Sequence, residues 1–161
     1  MGLLVGKPAP NFSLQGTSGP LSLADLKGSW VILFFYPKAG TSVCQSEVVG
    51  FNNHYEEFAN LGAKIVGISV DTLDTLKKWV EELGGIKYPL LSDNQHEASR
   101  SYEVFSEDAQ VAFRGLFILD PEGKVRYQVV QEPYFGRSTK EVKRILQALQ
   151  RGEACMLDWE P

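Results

Sequence analysis

Cysteine and histidine are both scarce in this chain, with two of each among 161 residues. Cys44 and Cys155 lie far apart, so they make no disulfide framework, and neither has a Cys or His neighbour at metal-ligand spacing. His54 and His96 stand alone as well, so neither structural zinc nor any other metal or cofactor is expected. A basic cluster is also missing: 16 Lys and Arg face 20 Asp and Glu, for a net charge of -4, which argues against a nucleic-acid or anionic-membrane surface. Long apolar runs are absent too. The longest, Trp30 to Tyr36, is far short of the roughly 20 residues of a membrane span. The first eight residues lack the basic region and apolar stretch of a signal peptide, and Gly6 stands where a myristoylation signal needs Ser or Thr. These absences lead to the expectation of a soluble, cytoplasmic protein in a reducing compartment.

What is present suffices for one domain over residues 1–161, since 43% hydrophobic content at this length supports a sizeable core. Residues 11–23 read as a hairpin turning at Gly16 to Gly19, and "WVILFFY" at 30–36 reads as a central strand buried on both faces. From Cys44 the apolar spacing becomes helical: Cys44, Val48, Phe51, Tyr55 and Phe58 share one stripe, which predicts a single helix with Cys44 in its first turn. "AKIVGISV" at 63–70 predicts a strand, and Leu73, Leu76, Val80 and Leu83 predict a helix that ends at Gly84-Gly85. "YPLLSD" predicts a short extended piece, followed by a brief helix capped by Asp93 and reaching about Tyr102. "AFRGLFIL" and "KVRYQVV" flank Asp120-Pro-Glu-Gly123 as a hairpin. Ser138-x-x-Glu141 is a capping box for a last helix, with Val142, Ile145, Leu146 and Leu149 on one face.

By count alone, inert packing and redox or nucleophilic chemistry are equally open to the thiols. The element order resembles the α/β thioredoxin fold, a central mixed sheet flanked by helices, here with an N-terminal hairpin added and residues 151–161 as a C-terminal arm. Where that fold places C-x-x-C, this chain has Thr41-Ser-Val-Cys44. Thr41 cannot close a disulfide with Cys44, so the position suits a lone attacking sulfur. A helix N-terminus favours negative charge on that sulfur. Arg114, set in the apolar "VAFRGLFIL", needs an anionic partner, and Glu47, one turn after Cys44, is suited to orient it through a bidentate pair. The plainer reading of Glu47 is a carboxylate favouring the helix dipole, and that of Pro37 is simple strand termination.

Pro37, Thr41 and Cys44 in P-x-x-x-T-x-x-C, preceded by "FFY" and joined to "FRGLFILDPEGKVRY" and to "GRS" at 136–138, resemble a peroxiredoxin over nearly the whole chain. The resemblance implies that Cys44 is the peroxidatic thiolate, attacking a hydroperoxide to give a sulfenic acid. Thr41 and Arg114 would hold the peroxide oxygens, Pro37 would close the pocket, Glu47 would hold Arg114, and Arg137 would support them from behind. "GEACMLDWEP" at 152–161 resembles the segment that carries the resolving cysteine of typical 2-Cys peroxiredoxins: Gly152, Glu153, Cys155, Trp159 and Pro161 match, while Ala154 and Met156 depart. This implies that Cys155 resolves the sulfenic acid in a partner subunit of a homodimer or larger homo-oligomer, for reopening by a thioredoxin-like reductant.

The alternatives are a 1-Cys enzyme resolved by an external thiol, and a redox relay or holdase chaperone. A cysteine hydrolase is disfavoured, because His54 would stand roughly 15 Å along the helix from Cys44. "GGIK" at 84–87 replaces the family's G-G-L-G and the sequence stops at Pro161, so resistance to over-oxidation is expected.

Overall fold

The computed structural model describes residues 2–152 and 154–161. Met1 and Glu153, the latter one of the matched residues of the C-terminal motif, lie outside them. The N-terminal hairpin is formed by β1 (Ser13–Gly16) and β2 (Leu21–Ser22), followed by a 3-10 turn over Leu23–Leu26. After it come β3 (Trp30–Phe35), α1 (Ser42–Asn53), α2 (Tyr55–Asn60), β4 (Ala63–Ser69), α3 (Leu73–Glu82), β5 (Leu90–Ser92) and α4 (Glu97–Ser101). The chain closes with β6 (Phe105–Ser106), β7 (Val111–Ala112), β8 (Arg114–Leu119), β9 (Val125–Gln131) and α5 (Thr139–Arg151).

Among the described residues seven strands form one mixed sheet in the order β2-β1-β5-β4-β3-β8-β9, and β6 pairs with β7. β3 and β4 are parallel neighbours, joined by a crossover through α1 and α2. β8 and β9 form the antiparallel hairpin across Asp120 to Lys124. Strand alternation divides the core in two. Val31, Leu33 and Phe35 of β3 enter one cluster with Phe12, Leu26 and Tyr102. Ile32 and Phe34 enter the other, with Phe51, Phe58, Trp79 and Leu146 of the surrounding helices. No helix among the described residues is long and apolar enough to cross a membrane.

Two expectations are corrected. The single helix running from Cys44 past Phe58 is broken at His54, whose φ of -102° and ψ of 10° end α1 and begin α2. Asn52, Asn53 and His54 are weak helix formers, while Phe51 and Phe58 still pack together at 6.0 Å between ring centres, so the apolar stripe survives the break. The capping box at α5 is half formed: Ser138 Oγ accepts from Glu141 N at 3.2 Å, but the Glu141 carboxylate receives two bonds from Arg144. Asp93 does serve the next helix, though from upstream of its start. Its carboxylate accepts from Ala98 N, Ser99 N and Ser99 Oγ at 2.7 to 2.9 Å, across a left-handed His96 with φ of 62°.

Candidate active site

β3 ends at Phe35, and the chain crosses Tyr36 to Thr41 before α1 begins at Ser42. Pro37 is buried here and cannot extend the strand, since its nitrogen has no hydrogen to donate. Thr41 is the extended residue before α1, and its exposed hydroxyl donates to the Lys38 carbonyl at 3.1 Å, closing the loop on itself. The sulfur two residues into the helix is fully buried.

β8 supplies the opposite wall. Its period of two puts Arg114 on the same face as Leu116 and Ile118, which is the face that α1 covers. Arg114 Nη2 donates to Cys44 Sγ at 3.3 Å, Nη1 to Glu47 Oε1 at 2.5 Å, and Nε to the Pro133 carbonyl at 2.7 Å. Arg137, just before α5, reaches Glu47 from the other side. Its backbone N and Nε donate to Oε2 at 2.7 and 2.6 Å, Nη2 donates to Oε1 at 2.8 Å, and Nη1 donates to the Gly115 carbonyl at 2.8 Å. The Arg137 guanidinium also lies over Phe34, 5.4 Å from the ring centre.

The side chains of Glu47, Arg114 and Arg137 are each only 2% exposed. Two guanidiniums against one carboxylate leave one positive charge uncancelled in a dry site, and Cys44 Sγ is the group beside it. The N-terminal turn of α1 adds a partial positive charge at the same place. Burial alone would push the Glu47 carboxyl up, but the hydrogen bonds and charge of Arg137, helped by Arg114, hold it below the usual carboxylate range. Glu47 therefore stays ionised and keeps both arginines in place. The arrangement sets a thiol sulfur beside a fixed cationic donor, which can hold an atom that gains charge.

The AhpC/TSA family model matches residues 5–128. The chain belongs to the AhpC/TSA family. A putative peroxiredoxin of Bacillus subtilis, YkuU, is 41% identical, over 98% of this chain and 95% of its own. Peroxiredoxin-2 of Rattus norvegicus is 38% identical over 98% and 86%. The reduced 2-Cys peroxiredoxin of Plasmodium vivax superposes with a TM-score of 0.92 at 31% identity, covering 99% of this chain and 90% of that one. Enterococcus faecalis AhpC gives 0.90 at 28%, covering 97% and 100%. The protein is a peroxiredoxin of thioredoxin fold, an oxidoreductase that acts as a thiol peroxidase.

In this peroxiredoxin the structure brings Cys44, Glu47, Arg114 and Arg137 into direct contact, with Pro37 and Thr41 on the loop that leads to the sulfur. Cys155 is elsewhere. It is exposed on the C-terminal arm, and its sulfur accepts from Arg144 of α5 at 3.5 Å. The same Arg144 Nη1 donates to the Trp159 carbonyl at 2.9 Å, and Arg151 lies 5.2 Å from the Trp159 ring centre.

Sequence reasoning missed Asp71, whose Oδ2 accepts from Ala39 N at 2.8 Å and from Ser69 Oγ at 2.7 Å. That carboxylate ties the loop after β3 to the end of β4. The available signal was an acidic residue directly after a buried strand, in "GISVD". Tyr36 was missed as well. It is fully buried, its hydroxyl has no hydrogen-bond partner among the described residues, and burial pushes the phenol far up, so it stays protonated.

Proposed function

We propose that Cys44 reduces hydrogen peroxide and organic hydroperoxides, and that Cys155 of a partner subunit resolves the product. The observation that carries this reading is the 3.3 Å contact from Arg114 Nη2 to Cys44 Sγ, made by a guanidinium that Glu47 and Pro133 hold rigidly. The sulfur lone pair attacks one peroxide oxygen; the S–O bond forms as the O–O bond breaks, and the leaving oxygen takes the electron pair. The sulfenic acid keeps the proton of the attacked oxygen, and the leaving oxide takes another from solvent to give water or an alcohol. Arg114, joined by the Thr41 hydroxyl once it turns from the Lys38 carbonyl, stabilises the charge as it moves onto oxygen. Pro37 keeps water from the sulfur.

Cys155 then attacks the sulfenic sulfur, forming the disulfide and releasing water. A thioredoxin-like dithiol reopens it, and its own two sulfurs leave as a disulfide. Because Cys44 is buried and Cys155 exposed, the first turn of α1 and the arm both open for this step. The unit of function is one domain over 1–161, with 151–161 as the arm, working as a homodimer or larger homo-oligomer. The exposure of Cys155 is what favours resolution over an inert role.

A non-reducing gel after peroxide tests the reading on wild type, Cys44→Ser and Cys155→Ser. A band at about twice 17.9 kDa that needs both cysteines is expected. Monomer throughout, with peroxide still consumed through Cys44, would establish a 1-Cys enzyme served by an external thiol. Client binding independent of Cys44, without peroxide consumption, would make it a holdase chaperone.

A further inference from the structure

We propose that Arg144 is a latch that parks Cys155 on α5 of its own subunit and so limits how fast the resolving disulfide forms. The inference rests on Cys155 being the resolving residue. Among the described residues, one guanidinium makes the hydrogen bonds that tie the arm to the helix: Nη1 donates to Cys155 Sγ at 3.5 Å and to the Trp159 carbonyl at 2.9 Å. The other edge of Arg144 is engaged by Glu141, one turn earlier. Nε and Nη2 donate to its Oε2 and Oε1 at 2.8 and 2.9 Å, and this fork fixes the guanidinium plane so that Nη1 faces the arm.

Little else holds the arm in place. α5 ends at Gly152, whose left-handed φ of 70° turns the chain out of the helix. Past that turn every described residue is exposed except Trp159, which is half-buried. Met156 and Leu157 stand 72% and 93% exposed, so the arm brings no apolar core to α5. A cavity of about 1070 Å³ lies between arm and helix, lined by Ile145, Gln147 and Cys155 among others. Trp159 N donates to the Met156 carbonyl at 3.0 Å, which closes the end of the arm into a turn that moves as a unit. Losing the Nη1 contacts therefore frees Cys155 and Trp159 together, leaving only Arg151 over the Trp159 ring.

Cys44 is enclosed between α1 and β8, so Cys155 leaves α5 before the two sulfurs come within bonding distance. The S–S bond then forms as the sulfenic S–O bond breaks, and the Cys155 proton departs with the hydroxyl as water. Until that happens the sulfenic acid stays open to a second hydroperoxide, which transfers one oxygen to give a sulfinic acid and leaves as water or an alcohol. The latch sets the balance between these two fates of Cys44.

The test follows disulfide-linked dimer by acid quench and non-reducing gel after stoichiometric hydrogen peroxide, on reduced wild type, Arg144→Ala, Arg144→Lys and Lys140→Ala. The dimer should appear about tenfold faster in Arg144→Ala, the scale of two exposed hydrogen bonds. Arg144→Lys keeps the charge but not the fork, so its rate should fall between the two. Lys140→Ala removes a charge from the same cleft and should match wild type. Cys44 sulfenic acid, trapped with dimedone in a Cys155→Ser background, should form equally fast with and without Arg144→Ala, and sulfinic acid at excess peroxide should fall in Arg144→Ala. Disulfide formation that is unchanged or slower in Arg144→Ala overturns the latch; if that variant does not fold, a wild-type rate in Arg144→Lys overturns it equally. No linked dimer in any variant, with peroxide still consumed through Cys44, would instead overturn resolution by Cys155, so the two failures are distinguishable.

Discussion

Glu47 and Arg137 are joined three times: the backbone N and Nε of Arg137 donate to Oε2 at 2.7 and 2.6 Å, and Nη2 donates to Oε1 at 2.8 Å. Glu47 lies one turn into α1 and Arg137 just before α5, so these bonds lock the two helices that flank the site. Oε1 also receives Arg114, and through that shared oxygen the lock reaches Cys44.

Arg137→Ala removes one partner of a buried pair and a donor to the Gly115 carbonyl. The expected loss is about 3–5 kcal/mol of unfolding free energy, measured by urea denaturation of the reduced protein. A loss below about 1 kcal/mol would mean that Arg114 alone satisfies Glu47.

Arg114→Lys keeps the charge but loses the planar fork, and one ammonium cannot serve Glu47, the Pro133 carbonyl and Cys44 Sγ together. The rate constant of Cys44 with hydrogen peroxide should fall about 10²- to 10³-fold, measured by stopped flow. A rate near wild type would remove Arg114 from the transition state.

Acid should weaken the fold through Glu47. Its folded carboxyl lies below the usual range, whereas in the unfolded chain it titrates near about 4.3. In the interval between the two values the unfolded state binds more protons, so stability rises with pH there. The Glu47 contribution is complete above about pH 4.3 and is lost as pH falls through the folded value. Urea midpoints from pH 6 down to pH 3, taken on wild type and Glu47→Gln, should show a shallower decline in the variant; parallel curves would assign the acid sensitivity to other carboxylates.

Asp71→Ala leaves the Ala39 N–H and the Ser69 hydroxyl without their acceptor, at a cost of about 1–3 kcal/mol. Asp71→Asn keeps an acceptor oxygen, so it should restore most of the stability and of the peroxide rate. Thermal unfolding together with the Cys44 oxidation rate checks this, and an Asn variant no better than Ala would show that the charge rather than the bond matters.

The sequence by itself determined the order of the longer strands and helices, though not the β6–β7 hairpin, because periods of two and 3.6 are written in local apolar spacing. "WVILFFY" became the six-residue β3, "AKIVGISV" became β4, and the Asp120-Pro-Glu-Gly123 turn joined β8 to β9. Motif spacing also placed Cys44 in the first turn of its helix and marked Arg114 as a charge in need of a partner. The break at His54 was not legible, because the stripe from Cys44 to Phe58 continues across it and only backbone angles show where the helix stops.

The sequence reading paired Glu47 with Arg114 through a bidentate fork, but the tertiary structure gives that pair one bond and gives the fork to Arg137. Glu47, Arg114 and Arg137 lie on α1, β8 and the approach to α5, and no local pattern says that one carboxylate will take both guanidiniums. Nor could spacing show Asp71 holding Ala39, since that bond exists only because β3 and β4 pair in parallel and bring their ends together. Periodicity is a property of neighbours along the chain. The charge balance around the Cys44 sulfur belongs to neighbours in space, and sheet order and register set those.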